Sequence, residues 1–415
     1  MEQRRRPKRT IEYDLLLTAT LCLLAAGAVM VFSASSARSL LSGQGSGFEY
    51  LIRYGVFAAI GLGVMFAVAR YPLERITPYT GHFLIGAIVL TLAVRVPGLG
   101  VEAGGAKRWL GAGPLTFQPS ELMKVGLVLY AAKVLSARPE MMEDWRELRP
   151  FVLLTGAAVV AVALQPDLGT ALVCAFAMGS MLIAAGIPMR WLGALGGGGA
   201  ALVLAYSSTA QYRMERLTSF LDPWAHASDA GFQAVQGLIA VGSGGLVGKG
   251  IGQSQQKNLF LPEAHTDFIL AIVGEETGAL GIIVLLGLYG MLAFAGLRIA
   301  QQARSRYTQL LAGGLIALYI GQAMLNVFTV LGLAPLTGVP LPFISYGGTT
   351  LITMLAAIGL VLGISRESAA GAARSAPPRD ARPSTADGAA DDRDRHRWDS
   401  GARRAGAVGR RRAAS

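Results

Sequence analysis

The chain has 415 residues, 53% of them hydrophobic and only 15% charged, with a mean hydropathy of +0.47. This composition excludes an ordinary soluble domain and points to a protein that crosses a membrane several times. The formal net charge of +11 would suit nucleic acid, but in so apolar a chain it reads as basic residues flanking spans on the cytosolic side, so no nucleic-acid partner is expected.

Residues 1–13 form a basic N-terminus with "RRRPKR" at 4–9. Apolar segments of about 17–25 residues are the unit that crosses a bilayer. Ten follow in order, at 14–35, 51–69, 77–96, 119–137, 150–165, 167–187, 189–208, 266–297, 309–333 and 343–365. The fifth and sixth are divided only by "QPD" at 165–167, where Pro166 suits a tight outer hairpin. The first span is long and has no small-x-small cleavage site, so no cleavable signal peptide is expected. The expected fold class is therefore an all-α polytopic membrane protein with about ten transmembrane helices. Fifty-three glycines agree with close helix packing in lipid.

Lys and Arg in the short loops orient the spans. Arg70 and Arg75, then Arg138, Arg146 and Arg149, then Arg190, then Arg298, Arg304 and Arg306 all fall on inner connections if both termini are cytosolic. Two longer segments then lie outside: a Gly-rich loop at 97–118, and an extracytoplasmic loop at 209–265 between spans seven and eight. Loops of that length are usually functional. Residues 366–415, rich in Ala, Arg, Asp and Pro, are expected to form a disordered cytosolic tail. Cys22 and Cys174 both lie in apolar runs without metal-ligand spacing and read as small hydrophobes.

The charges left over collect at the outer face. Lys107 and Arg108 belong to the loop feeding the fourth span. Glu121 and Lys124 sit in that span's first turns, Asp167 starts the sixth and Asp267 the eighth. Each acid alone could be a helix N-terminal charge, stabilised by about 0.3–1 kcal/mol, and Glu121 with Lys124 could be a local i,i+3 ion pair. The set, with both signs present, reads better as an outward-opening polar cavity. On one continuous helix, Asp267 and Glu275 would be about 12 Å apart along the axis and within about 80° of each other. That makes Asp267 the outer group, with Glu275 deeper on a similar side and Glu276 facing away. His265 and one Asp do not make a metal site. "GSGGLVGKG" at 242–250 is not a phosphate loop, because Ser243 and Gly250 stand where that motif needs Gly and Ser or Thr. With no ATPase motif, energy must come from the substrate or from a gradient.

Four ordered motifs, "AKRWLGAGPLTFQPSELMK" at 106–124, "QPDLGT" at 165–170, "FLPEAHTDFILAIVGEETG" at 260–278 and "LPFISYGGTT" at 341–350, resemble those of the SEDS family (shape, elongation, division and sporulation). "GAVMVFSAS" at 27–35 adds a likeness to the division type, FtsW, over the elongation type, RodA. "EETG" and "GGTT" depart mildly from the commoner "EELG" and "GGSS".

The resemblance implies a peptidoglycan glycosyltransferase of the bacterial cytoplasmic (inner) membrane, active at the division septum. It would polymerise lipid II at the outer leaflet together with a class B penicillin-binding protein, the division transpeptidase, and other divisome membrane proteins. Membrane lipid and polyprenyl-linked glycan are further expected partners. The aspartate of the family's "HTDF" motif, Asp267 here, would be the catalytic base. Lys107, Arg108 and Lys124 are candidates to face the leaving pyrophosphate. Glu121, Asp167, His265 and Glu275 are candidates to support them. A divalent cation, Mg or Mn, could share the charge through Asp267 or Glu121, although no dedicated cage is visible. The rival readings are a lipid II flippase and a non-catalytic division scaffold.

Overall fold

The computed structural model describes residues 10–41, 47–103, 106–112, 115–208, 211–229, 231–257, 261 and 264–375. Met1–Gly371 form one compact unit. Ala372–Ser415 form a second, of which only the end of the last helix, to residue 375, is described. The basic 1–9 segment and most of the C-terminal tail lie outside the described residues.

Helices dominate. In chain order they are α1 (Ile11–Leu41), α2 (Glu49–Val68), α3 (Leu73–Ile76), α4 (Thr80–Ala93), α5 (Pro119–Ala137), α6 (Trp145–Ala163) and α7 (Leu168–Ala185). There follow α8 (Met189–Ser207), α9 (Gln211–Leu221), α10 (Phe232–Gly244), α11 (Ile269–Gln302), α12 (Arg306–Val330) and α13 (Gly348–Ser375). Seven helical stretches among the described residues are long and apolar enough to cross a membrane: α1, α2, α3–α4 together, α7, α11, α12 and α13. The other three expected spans coincide with α5, α6 and α8. Glu121, Lys124 and Lys133 make α5 more polar, as Arg146, Glu147 and Arg149 do α6.

Local chemistry sets several boundaries. Pro119 opens α5, where its missing N–H costs nothing. Asp144 and Asp167 cap α6 and α7 by accepting from Arg146 N and Thr170 N. A Ser305–Thr308 capping box opens α12, and left-handed Gly186 closes α7.

Packing divides the helices into core and periphery. In α12 and α13, 72% of the most apolar window is buried, against 17% in α2. α12 packs on α5, α7 and α11, and α1 also lies along α11. The periphery turns apolar residues outward: Ile52, Val56 and Ile60, one face of α2 at i,i+4 spacing, are all about half exposed or more. Apolar outside and charged inside is the arrangement expected in hydrocarbon.

Four sequence expectations change. The outer segment 97–118 is no simple loop but an antiparallel meander of β1 (Gly100–Ala103), β2 (Ala106–Ala112) and β3 (Leu115–Phe117). The segment 209–265 contains helices α9 and α10. α13 begins at Gly348 rather than 343 and runs nine residues past 366. The eighth span is a broken helix: Gly278 takes φ +68° and ψ −168° inside α11.

Candidate active site

The break in α11 explains the glycine-rich stretch that resembled a phosphate loop. Breaking a helix orphans carbonyls before the break and N–H groups after it, and in a membrane those must find partners. Residues 245–250 supply them. Lys249 N and Gly250 N donate to Glu275 O and Glu276 O, and Ala279 N and Leu280 N donate to Gly245 O and Leu246 O. Two backbones this close leave no room for side chains. A Cβ on Gly278 would lie 2.4 Å from Gly248 N, and one on Gly248 would lie 2.2 Å from Glu276 O.

The two glutamates before the break are wholly buried. Glu275 accepts from Lys249 Nζ at 2.7 Å, Ser254 Oγ at 2.5 Å, and the backbone N–H groups of Gln255 and Gln256. Glu276 accepts from Ser33 Oγ of α1 at 2.6 and 2.7 Å, from Lys257 Nζ at 3.1 Å and from Ser254 N at 3.3 Å. Glu275 therefore faces segment 249–257 and not Asp267. The lysine partners of these two acids had no visible signal in the sequence, since Lys249 and Lys257 lie in a polar loop.

Asp267 does not start α11. The helix begins at Ile269 with Phe268 as its N-cap, so Asp267 lies in the turn before it and the helical geometry relating it to Glu275 does not apply. Its side chain is half-buried, with Oδ1 3.3 Å from Thr266 Oγ1. Oδ2 lies 3.9 Å from the Cβ position of Gly338. The backbone of Asp267 is held from α12: Asn326 Nδ2 donates to Asp267 O at 2.7 Å and to Val339 O at 2.8 Å.

Asn326 belongs to a polar stripe on α12, spaced i, i+4 and i+7. Gln322 Nε2 donates to Pro340 O at 2.9 Å, and Thr329 Oγ1 donates to Pro335 O at 3.2 Å. The stripe thus fastens residues 335–340 beside Asp267. The sequence reading passed over it, although three polar residues at helical spacing in an apolar span were a usable signal.

Lys124, through Gln322, and the start of α7 beside Asp167 also reach this segment. Lys124, 3% exposed, donates to Gln322 Oε1 at 2.8 Å and forms an ion pair with Glu121 Oε2 at 2.9 Å. Asp167 caps α7 and accepts from Gln118 Nε2 at 3.0 Å, while Gly169 packs against Thr337 and Val339. Arg108 donates to Gln165 O at 3.1 Å and to Pro166 O, tying β2 to the α6–α7 turn. Lys107 is exposed and in register with Glu102. Val101 pairs with Trp109 and Glu102 with Lys107, so Arg108 is the extra residue of a β-bulge, where the strand's alternation is interrupted. His265 is buried between the rings of Tyr50 and Tyr346, at centroid distances of 4.8 and 5.8 Å, and its carbonyl accepts from Tyr346 N. Burial raises the pKa of the Tyr346 phenol, keeping it neutral.

Glu121 is committed to Lys124, and the described residues contain no group of three or more His, Cys, Asp or Glu able to hold a metal ion. Among the described residues no protein-held cation site of this kind is formed.

A family profile described as cell cycle protein, of the FtsW, RodA and SpoVE type, matches residues 14–370. The chain is 38% identical over 360 residues to a probable peptidoglycan glycosyltransferase FtsW of Geobacter sulfurreducens, covering 86% of this chain and 96% of that one. It is 39% identical over 368 residues to the stage V sporulation protein E of Bacillus subtilis, covering 87% and 99%. Among solved structures, one described as coordinating polymerization and crosslinking in a peptidoglycan synthase complex aligns with TM-score 0.71 and 31% identity, over 85% of this chain and 97% of that chain. The rod shape determining protein RodA of Thermus thermophilus aligns with TM-score 0.63 and 30% identity, over 85% and 96%. The chain is a multi-span membrane protein and belongs to the FtsW, RodA and SpoVE family, the SEDS family.

Proposed function

We propose that the protein is a peptidoglycan glycosyltransferase that polymerises lipid II at the outer leaflet, in division, with a class B penicillin-binding protein as partner. Its place would be the inner membrane at the septum. The observation that carries the reading is Asp267: a half-buried carboxylate in the turn that precedes α11, its backbone held by Asn326.

The chemistry follows from the substrate. Lipid II carries its sugar on a pyrophosphate, so the donor is already activated and no ATPase is needed. The 4-hydroxyl of the acceptor GlcNAc attacks the anomeric carbon of the donor MurNAc, and the lipid pyrophosphate leaves. An α-linked donor and a β-linked product need one inverting displacement and one base. Asp267 takes the hydroxyl proton as the new bond forms, a contribution of about 10²–10⁴-fold. Charge growing on the leaving group needs nearby cations. Arg108 spends two donors on carbonyls and a guanidinium has five, so it keeps donors for a phosphate. Exposed Lys107 can add a second cation. Lys124, paired with Glu121, acts from behind as part of the frame.

The test uses the purified full chain, its transpeptidase partner and labelled lipid II in detergent, where translocation has no meaning. Glycan chains should form with the wild-type protein and be lost in Asp267→Ala at unchanged folding. Wild-type protein that makes no polymer with an active partner sinks the reading. Lipid II flipping in liposomes that survives Asp267→Ala would favour a transporter.

A further inference from the structure

Glu276 and Lys257 lie at the two ends of one stretch of chain, with Asp267 ten residues after the lysine and nine before the glutamate. Their side chains meet at 3.1 Å, with side-chain exposures of 6% for Lys257 and 0% for Glu276. The contact closes that stretch into a loop with Asp267 near its middle. All three protons of the ammonium are used, since Lys257 Nζ also donates to Ser33 Oγ at 3.3 Å and to Gly252 O at 2.7 Å. Ser33 in turn anchors the closure to α1, an element remote in sequence.

The part of α11 before its break, from residue 269 to 277, is a rod of about 13 Å. So short a helix is marginal by itself and takes its place from what holds its ends. Asp267 stands just before one end. Glu276 is at the other, beside the break at Gly278, where the helical path is interrupted.

We infer that Glu276, Lys257 and Ser33 are positioning residues for the reaction, holding the short arm that carries Asp267 at its far end. This rests on Asp267 acting as the base. The three residues touch no substrate. Lys257 is engaged by Glu276, Ser33 and Gly252 and is not a pyrophosphate ligand. Their effect is geometric: without the closure, the arm tilts at the break and the carboxylate leaves the line of the acceptor hydroxyl. A displacement of about 1 Å at a reacting group is enough to cost about 100-fold in rate.

The experiment uses the full-length chain, purified in detergent, in Glu276→Gln, Lys257→Met, Lys257→Arg and Ser33→Ala forms. Two readouts are taken: lipid II polymerisation kinetics, and hydrogen exchange of the amides at 266–268. Glu276→Gln and Lys257→Met should lose about 100-fold in kcat with KM within about twofold. Exchange at 266–268 should quicken by about tenfold while α7 and α12 stay protected. Lys257→Arg, which keeps the charge, should retain at least about a tenth of the wild-type kcat. Wild-type kcat in a folded Glu276→Gln protein overturns the inference. So does lost activity with unchanged exchange at 266–268. If Glu276→Gln does not fold, Ser33→Ala carries the test, because it leaves both charges in place. It should then show the same split at about tenfold, and wild-type kcat and exchange in it overturn the inference. Should Asp267→Ala still polymerise while Glu276→Gln loosens the turn, the base assignment fails and the tether remains.

Discussion

The side-chain amide of Asn326 bridges the carbonyls of Asp267 and Val339, at 2.7 and 2.8 Å. One buried residue of α12 thus ties the turn before α11 to the 335–340 segment. Removing it strands two carbonyls in a protected place, at about 1–3 kcal/mol for each unsatisfied group. Asn326→Ala should therefore lower the thermal midpoint in detergent. It should also reduce polymerisation by about tenfold or more through displacement of Asp267. A variant with wild-type rate would separate Asp267 from α12.

Glu121 and Lys124 form a pair in which each side chain is only 3% exposed. Breaking such a pair leaves one uncompensated charge, at about 3–5 kcal/mol. Lys124→Met and Glu121→Gln should each destabilise strongly in a melting experiment. The double variant should recover part of the loss, because a buried pair replaced by neutral groups of similar volume is often tolerated. Double-mutant losses that simply add would argue against the pair.

Gly278 takes a left-handed φ and has Gly248 N at 2.4 Å from its Cβ position. Gly278→Ala should destabilise by about 1–3 kcal/mol from the backbone conformation alone, with more from the clash. Gly287→Ala, on the same helix with open space around it, should be neutral or slightly stabilising, since Ala is the better helix former. Equal melting of the two variants would remove the case for a stitched break.

Arg108, at the β2 bulge, fastens that strand to the α6–α7 turn through Gln165 and Pro166, while Lys107 is exposed and pairs in register with Glu102. Arg108→Ala should reduce polymerisation well below Lys107→Ala, and Arg108→Lys should not rescue it, since one ammonium does not reproduce the forked donors. Steady-state rates of the three variants decide this.

Much of the architecture was legible because hydropathy and helix ends are local properties. Pro119, Asp144, Asp167 and Ser305 each act on N–H groups within a few residues of themselves, so their boundaries can be read off the chain. The meander at 97–118 was missed because its pairings, such as Val101 with Trp109, leave little mark in a short Gly-rich stretch without regular alternation. The break at Gly278 was missed for another reason. A lone glycine is tolerated within a helix, and what breaks this one is the supply of partners from residues 245–250.

The sequence by itself determined the membrane class, the approximate positions of the helices and the presence of costly charges near one end of several spans. It also singled out Asp267. Tertiary structure alone decided what each charge faces. Glu276 meets Ser33 across 243 positions of chain, and Lys124 meets Gln322 across 198. Contacts so remote depend on which helix faces lie together, and no local periodicity encodes that. Hence Glu275, which a continuous helix would have set beneath Asp267, belongs instead to the cradle formed by residues 249–257, while Asn326 and the 335–340 segment stand beside the aspartate.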